Sequence, residues 1–156
     1  MQGGRYVLVL IATIGALSAT AAMPGETGVD GKAVFAHRQD TMKRMGRSLY
    51  LGIGRVVKGK APYGPDTVTA AENIASLAGT LDPSLFAPGS NVAESRMKPE
   101  IFADSAQLEQ LIAAVQTVAG RLMPAAKTGD QVAISTAFTA VANACNDCHS
   151  RFRREE

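Results

Sequence analysis

Apolar side chains recur at intervals of three, four and seven residues along most of this chain, which is the spacing of one face of an α-helix. The first such stretch covers residues 32–58 and contains no proline, and the second covers residues 66–81. The segment KGKAPYGPD separates them, because its glycines and prolines break the helical pattern. No segment alternates apolar and polar residues as a half-buried β-strand does. The pattern therefore predicts helices and no sheet.

Two more helices are expected after a long connection rich in Pro, Gly and Ser. The third is expected to begin near Pro99, because proline suits the first position of a helix, and to run to about Ala126. KTGD ends it, and Asp130 is a suitable N-cap for a fourth helix that continues almost to the C-terminus. Four amphipathic helices with mostly short connections predict an all-α fold, an antiparallel four-helix bundle with one core.

The N-terminus differs from the rest of the chain. It carries one basic residue, Arg5, then an apolar run, then small residues that include the cleavage pattern Ala19-Thr20-Ala21. The apolar run is shorter than the about 20 residues needed to span a bilayer. A cleaved signal peptide at 1–21 is therefore favoured over an uncleaved anchor. The sequence predicts an exported, periplasmic domain at 22–156, with no stable membrane insertion after cleavage.

Composition narrows the class of protein. Hydrophobic residues make up 46% of the chain and charged residues 19%, which is typical of a globular domain. The formal net charge is only +2, so nothing points to nucleic acid. No nucleophile–base or acid–base constellation is visible, and no enzymatic activity is expected. Export would allow a disulfide between the two cysteines, but it would close a very small loop and stabilise the fold little.

Three of the four cysteine and histidine residues lie together in the sequence CNDCH. If the last helix includes them, Cys145, Cys148 and His149 share one face. C-x-x-C-H is the pattern of c-type haem attachment. The alternatives fit less well: a redox dithiol usually opens a helix after a strand, zinc needs a fourth ligand, and the spacing could arise by chance. The motif predicts one covalent haem c, with thioethers at both cysteines and iron at the histidine.

Other segments strengthen this interpretation. HRQDTMKRMG, VVKGKAPYGPD, FAPGSN, KPEIFAD and CNDCHSRFR occur in that order, and together they resemble the class II c-type cytochromes, the cytochrome c′ family. Phe102 stands where the family often has Trp, a difference expected to alter only local packing. The resemblance implies a four-helix bundle with the haem near the C-terminal helix, and His149 as the proximal iron ligand.

The resemblance also places the first helix across the distal haem face. At about 100° per residue, Met42 lies close to the centre of the apolar stripe, and His37 lies roughly 120° away, towards solvent. A methionine on an apolar face usually only packs. The resemblance implies instead that Met42, four residues after Arg38, binds the iron, as in the low-spin cytochrome c-556 branch. His/Met ligation would suit an electron carrier. The alternative is a high-spin, five-coordinate cytochrome c′ that binds nitric oxide or carbon monoxide.

Four more residues are expected around the haem. Burial of the Arg38 charge on the apolar stripe costs free energy unless the charge is paired. The resemblance implies that a haem propionate lies nearby as its partner. The alternative is that the side chain snorkels to the bundle edge. Met45 shares the stripe, and Phe152 is expected to pack beside the haem. Arg153 is expected to flank the proximal histidine or to stay solvated at the helix end.

Basic residues cluster on the first helix and in the C-terminal tail. Such clusters are usually solvated, but they also suit an acidic redox partner, since complementary charge raises encounter rates. We expect redox partner proteins in the periplasm and no nucleic-acid partner. A homodimer is one assembly that the chain could form. The sequence thus predicts an exported monohaem electron carrier, with the gas-binding cytochrome as first alternative and a haem-free dithiol protein as second.

Overall fold

The computed structural model describes residues 30–155 of the chain. Within that range the regular elements are helices, and the only extended pairing is an isolated antiparallel bridge between Met97 and Arg153. The prediction of helices and no sheet is confirmed for this range. The predicted signal peptide at residues 1–21 lies outside it. No helix among the described residues has both the length and the apolar composition needed to cross a bilayer.

The first long helical segment has three parts. α1 covers Gly31–Gly46, a π-helix covers Arg47–Ile53, and α2 covers Gly54–Val57. The π-helical part was not expected, because apolar periodicity assumes turns of 3.6 residues throughout and a π-helix has wider ones. A Cβ atom on Gly52 would lie 2.6 Å from the Cβ of Ala70. The wide turn therefore packs closely against the helix Pro65–Gly79, which carries Ala70, and only glycine fits at this contact.

Three further helices complete the bundle. α3 covers Pro65–Gly79, α4 covers Ser105–Thr128, and α5 covers Gln131–Phe152. The predicted Asp130 cap is confirmed, since its carboxylate accepts hydrogen bonds from two amides in the first turn of α5. Gly129 ends α4 with a φ of 71°, a left-handed conformation that glycine adopts without strain.

The predicted start of the third helix at Pro99 is wrong. Pro99–Phe102 forms a separate 3₁₀ turn, and α4 begins at Ser105, directly after Asp104. Asp104 is the true N-cap, because its Oδ1 accepts a hydrogen bond from the amide of Gln107 at 3.3 Å. The fixed φ of proline suits the first position of either helix type. Proline alone therefore did not locate the start of α4.

Residues 80–104 join α3 to α4 and are called the connecting segment below. Besides the turn at Pro99 they form two 3₁₀ turns, Pro83–Phe86 and Pro88–Ser90. Several of their apolar side chains belong to the core: Leu81, Leu85, Phe86, Met97 and Ile101. The connecting segment is therefore a packed part of the domain rather than a surface loop.

The core lies where the four long helical segments meet. Its largest fully buried apolar side chains come from all parts of the bundle except α1 and α2: Ile53, Ile74, Leu122, Ile134 and Val141. Burial of these side chains is the main favourable term holding the helices together. The predicted four-helix bundle is confirmed, and it fixes α1 and α5 along the walls of the cavity described next.

Candidate functional site

A cavity of about 660 Å³ opens among the helices and the connecting segment. Its volume lies within the roughly 300–1,000 Å³ typical of ligand and cofactor pockets. All eight residues predicted for the site line it: Arg38, Met42, Met45, Cys145, Cys148, His149, Phe152 and Arg153. The fold therefore brings together side chains that lie more than a hundred residues apart in the sequence.

The last turns of α5 form one wall of the cavity. Cys145 and Cys148 are free, half-buried thiols that pack against the hydrophobic core. Burial raises the pKa of both, and the neighbouring Cys145 helps to raise that of Cys148 to about 11. Redox-active dithiols need a lowered pKa, because the thiolate is the nucleophile. These thiols therefore do not suit the dithiol alternative.

The imidazole of His149 lies on the same wall and is half-buried. Burial lowers its pKa most, and the positive charges of Arg153 and Arg96 lower it further. The neutral ring is consequently favoured at neutral pH, and neutral imidazole is the form that binds metals. No cluster of three or more His, Cys, Asp or Glu side chains within residues 30–155 is arranged to hold a metal ion.

Helix α1 contributes the methionines of a second wall. Met45 is buried with 6% of its surface exposed, whereas Met42 is only half-buried and packs at the edge of the core. The buried stripe of α1 consists of Arg38, Thr41 and Met45, so Met42 lies beside its centre rather than on it. His37 is exposed, as expected.

Arg38 does not snorkel to the bundle edge, so the alternative to a propionate partner is wrong. Its side chain is buried, with 7% exposed, and its guanidinium donates four hydrogen bonds to the connecting segment. The acceptors are the carbonyl oxygen of Leu85, the hydroxyl and carbonyl oxygens of Ser90, and the hydroxyl of Ser95. Burial lowers the pKa of Arg38. The hydrogen bonds replace the solvation that a buried cation loses.

The end of α5 supplies the remaining predicted residues. Phe152 is buried with 3% exposed, while Arg153 is exposed and pairs through its backbone with Met97. Arg96 and Met97 also line the cavity, and sequence reasoning missed both. Their only sequence signal is their position shortly after the FAPGSN segment, because no local motif marks either residue as part of a site.

These residues fit a haem. Two thiols and an imidazole project from one helix face, as covalent attachment with axial ligation requires. Most of the remaining walls are apolar, for example Leu49, Val141 and Phe152, and an apolar setting suits the body of a porphyrin. Polar groups such as Gln39 and Arg153 lie at the exposed margin, where they could meet charged substituents.

Comparison with known proteins agrees with this geometry. The family model described as Cytochrome C′ matches residues 33–153. A cytochrome c′ of Alcaligenes xylosoxydans xylosoxydans is 32% identical over 128 residues, covering 78% of this chain and 99% of that protein. Cytochrome c-554 of Cereibacter sphaeroides is 30% identical over 108 residues, covering 67% of this chain and 70% of that protein.

Solved structures give the same result. The crystal structure of cytochrome c′ from Thermochromatium tepidum superposes with a TM-score of 0.75 at 28% identity, covering 81% of this chain and 98% of that one. A cytochrome c′ described by its ligand-controlled dimer dissociation reaches a TM-score of 0.75 at 27% identity, covering 82% of this chain and 99% of that one. This chain therefore belongs to the cytochrome c′ family, the class II c-type cytochromes, whose members carry one covalently attached haem c with iron.

Proposed function

We propose that this chain is a periplasmic monohaem cytochrome c′ that binds nitric oxide or carbon monoxide at the distal side of its haem. Support comes from structures of the Alcaligenes xylosoxidans protein, 28% identical to this chain, in which variants carry carbon monoxide or nitric oxide. This proposal reverses the order of the sequence analysis, which put the His/Met electron carrier first.

The observation that carries the proposal is the composition of the α1 wall. Of the residues that α1 presents to the cavity, Arg38 is engaged by the connecting segment, and Gln39 and Lys43 are exposed and bonded to each other at 2.9 Å. Met42 is half-buried, and its thioether is uncharged and only a weak hydrogen-bond acceptor. The wall thus presents no imidazole, thiolate or carboxylate that would compete with a small diatomic molecule.

The residues on α5 have complementary roles. Cys145 and Cys148 would hold the macrocycle through thioethers, and His149 would bind the iron from the same face. Burial lowers the pKa of that imidazole most, and the charges of Arg153 and Arg96 lower it further. When bound, the haem supplies an iron that changes oxidation state and accepts axial ligands. The buried side chains of Ile101, Val141 and Phe152 give the cavity an apolar lining beside these residues.

The second candidate is the electron carrier in which Met42 binds the iron. One observation favours it: the side chain of Met42 faces the cavity from the helix expected to cross the distal side. A bound thioether would fill the second axial site and raise the reduction potential. The two candidates therefore differ only in whether this sulfur is coordinated.

Visible spectra of the holoprotein separate the two candidates. A broad ferrous α-band and ready uptake of carbon monoxide are expected for the gas-binding protein, with little further change in Met42→Leu. A sharp α-band that broadens only in Met42→Leu would establish the electron carrier. Met45→Leu is the matched control, because Met45 is a buried methionine of the same helix. A spectral change in the Met45 variant alone would contradict both assignments.

Export and partners form part of the same proposal. The composition of residues 1–21 supports delivery to the periplasm. The exposed basic residues of α1 and the tail suit an acidic redox partner protein. A homodimer is proposed by analogy with the relative named for its dimer dissociation. We expect redox or ligand exchange at the haem and no turnover of an organic substrate.

A further inference from the structure

Ser95, in the connecting segment, is hydrogen-bonded both to α1 and to the residues that follow α5. It is buried, with 2% of its surface exposed. Its hydroxyl accepts a hydrogen bond from Nη2 of Arg38 at 3.2 Å, and its carbonyl oxygen accepts one from Nη2 of Arg154. The same hydroxyl also accepts the amide of Met97 at 3.2 Å. One residue therefore links α1 to the residues that directly follow α5.

The link to α5 is reinforced by backbone pairing. The amide of Lys98 donates to the carbonyl oxygen of Phe152 at 2.8 Å, and the amide of Arg154 donates to that of Arg96 at 2.8 Å. The guanidinium of Arg96 donates two further bonds to the carbonyl oxygen of Arg154. Residues 95–98 are thus fixed to the end of the helix that carries His149.

The link to α1 is equally constrained. Arg38 lies four residues before Met42, so the two side chains are neighbours on one helix face. Because Arg38 is a buried cation, breaking its hydrogen bonds would leave its charge unsolvated. The guanidinium therefore keeps its acceptors, and the adjacent turn of α1 is held at a fixed position relative to Ser95.

We propose that Ser95 is a positioning residue that sets the spacing between α1 and the end of α5, and thereby the access of an axial ligand on the Met42 side. Ser95 also lines the cavity, and it acts through Arg38 of α1 and through Arg154, which follows α5. This inference rests on the proposed function, because its consequence is measured at the haem that Cys145, Cys148 and His149 would hold.

The chain offers a matched control in Ser90. Ser90 is fully buried and also accepts hydrogen bonds from Arg38, but its hydroxyl donates to the carbonyl oxygen of Ala87 within the connecting segment. Ser90→Ala therefore removes one acceptor of Arg38 and the bond to Ala87, but it leaves the bonds of Ser95 to Arg38 and Arg154 in place. Ser95→Ala weakens the link to the C-terminal residues on the α1 side. Both substitutions are expected to lower the Tm of the holoprotein.

Only Ser95→Ala should change carbon monoxide affinity, by roughly three- to tenfold, the range that one hydrogen bond can transfer. It should also shift the ferrous α-band and speed amide hydrogen exchange at residues 95–98 and 152–154, whereas Ser90→Ala should speed exchange near Ser90 alone. If both variants leave affinity and spectrum as in the wild type and only lower Tm, Ser95 has a purely structural role and the inference is wrong.

A second variant guards against failure of Ser95→Ala to fold. Arg154→Met removes the other half of the link from an exposed residue and should change carbon monoxide affinity in the same direction. Arg151→Met is its control, since Arg151 is exposed and bonded to Asp104 instead. No effect of Arg154→Met beyond this control would also overturn the inference. If the wild type takes up no carbon monoxide at all, the proposed gas-binding function fails, and the midpoint potentials of the same variants test Ser95 independently.

Discussion

The last turns of α5 and the wall formed by α1 with the connecting segment border the same cavity but are built differently. Cys145, Cys148 and His149 lie within one short stretch of one helix, so helix geometry alone fixes their relative positions. On the other wall, Arg38 reaches acceptors 47, 52 and 57 residues along the chain. The comparison suggests that haem attachment depends on local structure, whereas ligand access depends on tertiary contacts that can change separately.

The strongest test of this contrast removes the local motif. The double variant Cys145→Ser with Cys148→Ser, produced in a haem-ligating host, should lose all covalent haem, because hydroxyls do not form the thioethers. Denaturing mass spectrometry should then give the mass of the polypeptide alone. Asn146→Ala is the control, since Asn146 lies between the cysteines and leaves the motif intact. Retention of haem mass by the double variant would show that attachment does not use these cysteines.

A smaller effect is expected when the tertiary wall is changed. Arg38→Met should lower the free energy of unfolding by about 2–4 kcal/mol, since buried carbonyl oxygens of Leu85 and Ser90 lose their donor. Covalent haem content should not change. Denaturant titration of the holoprotein measures the loss.

The control for that variant is Arg44→Met, which removes an exposed cation of the same helix. Arg44 is 3.6 Å from Asp40 in a surface ion pair, and such pairs contribute under about 1 kcal/mol. Equal losses in the two variants would mean that the connecting segment is not held by Arg38, and the contrast between the walls would lose its basis.

The smallest predicted effect concerns the helix caps. Asp104 caps α4 through Oδ1 and pairs through Oδ2 with Arg151 of α5 at 2.8 Å, whereas Asp130 only caps α5. Asp130→Ala should cost about 1 kcal/mol of stability. Asp104→Ala should cost a few tenths of a kcal/mol more, because an exposed ion pair adds little. Thermal unfolding of the two variants gives the difference, and a larger loss for Asp130→Ala would reverse this order.

Much of the molecule could be predicted because the signals are local. Spacings of three, four and seven residues predicted the helices, and the Asp130 cap followed from its place before an apolar run. The Pro99 prediction failed because the same local signal fits two helix types. Phe102, which stands where the family often has Trp, is 38% exposed and lies outside the buried core. The difference is therefore expected to affect only local packing.

Other features could not be read from the chain. The π-helix at Arg47–Ile53 packs against α3, and its wide turn has no distinct apolar period. The buried state of Arg38 depends on serines in a segment that reads as an ordinary polar loop. Arg96 and Met97 reach the cavity only because their backbone pairs with the C-terminal residues.

The sequence by itself therefore determined the helices, the attachment motif and the face on which Cys145, Cys148 and His149 lie. These depend on contacts within about one helical turn, and such contacts are fixed by spacing. Tertiary structure decided what holds Arg38, how the connecting segment joins the two walls, and how far Met42 is buried. Those outcomes arise from contacts between distant segments, whose free energies depend on packing and desolvation that no single stretch of sequence contains.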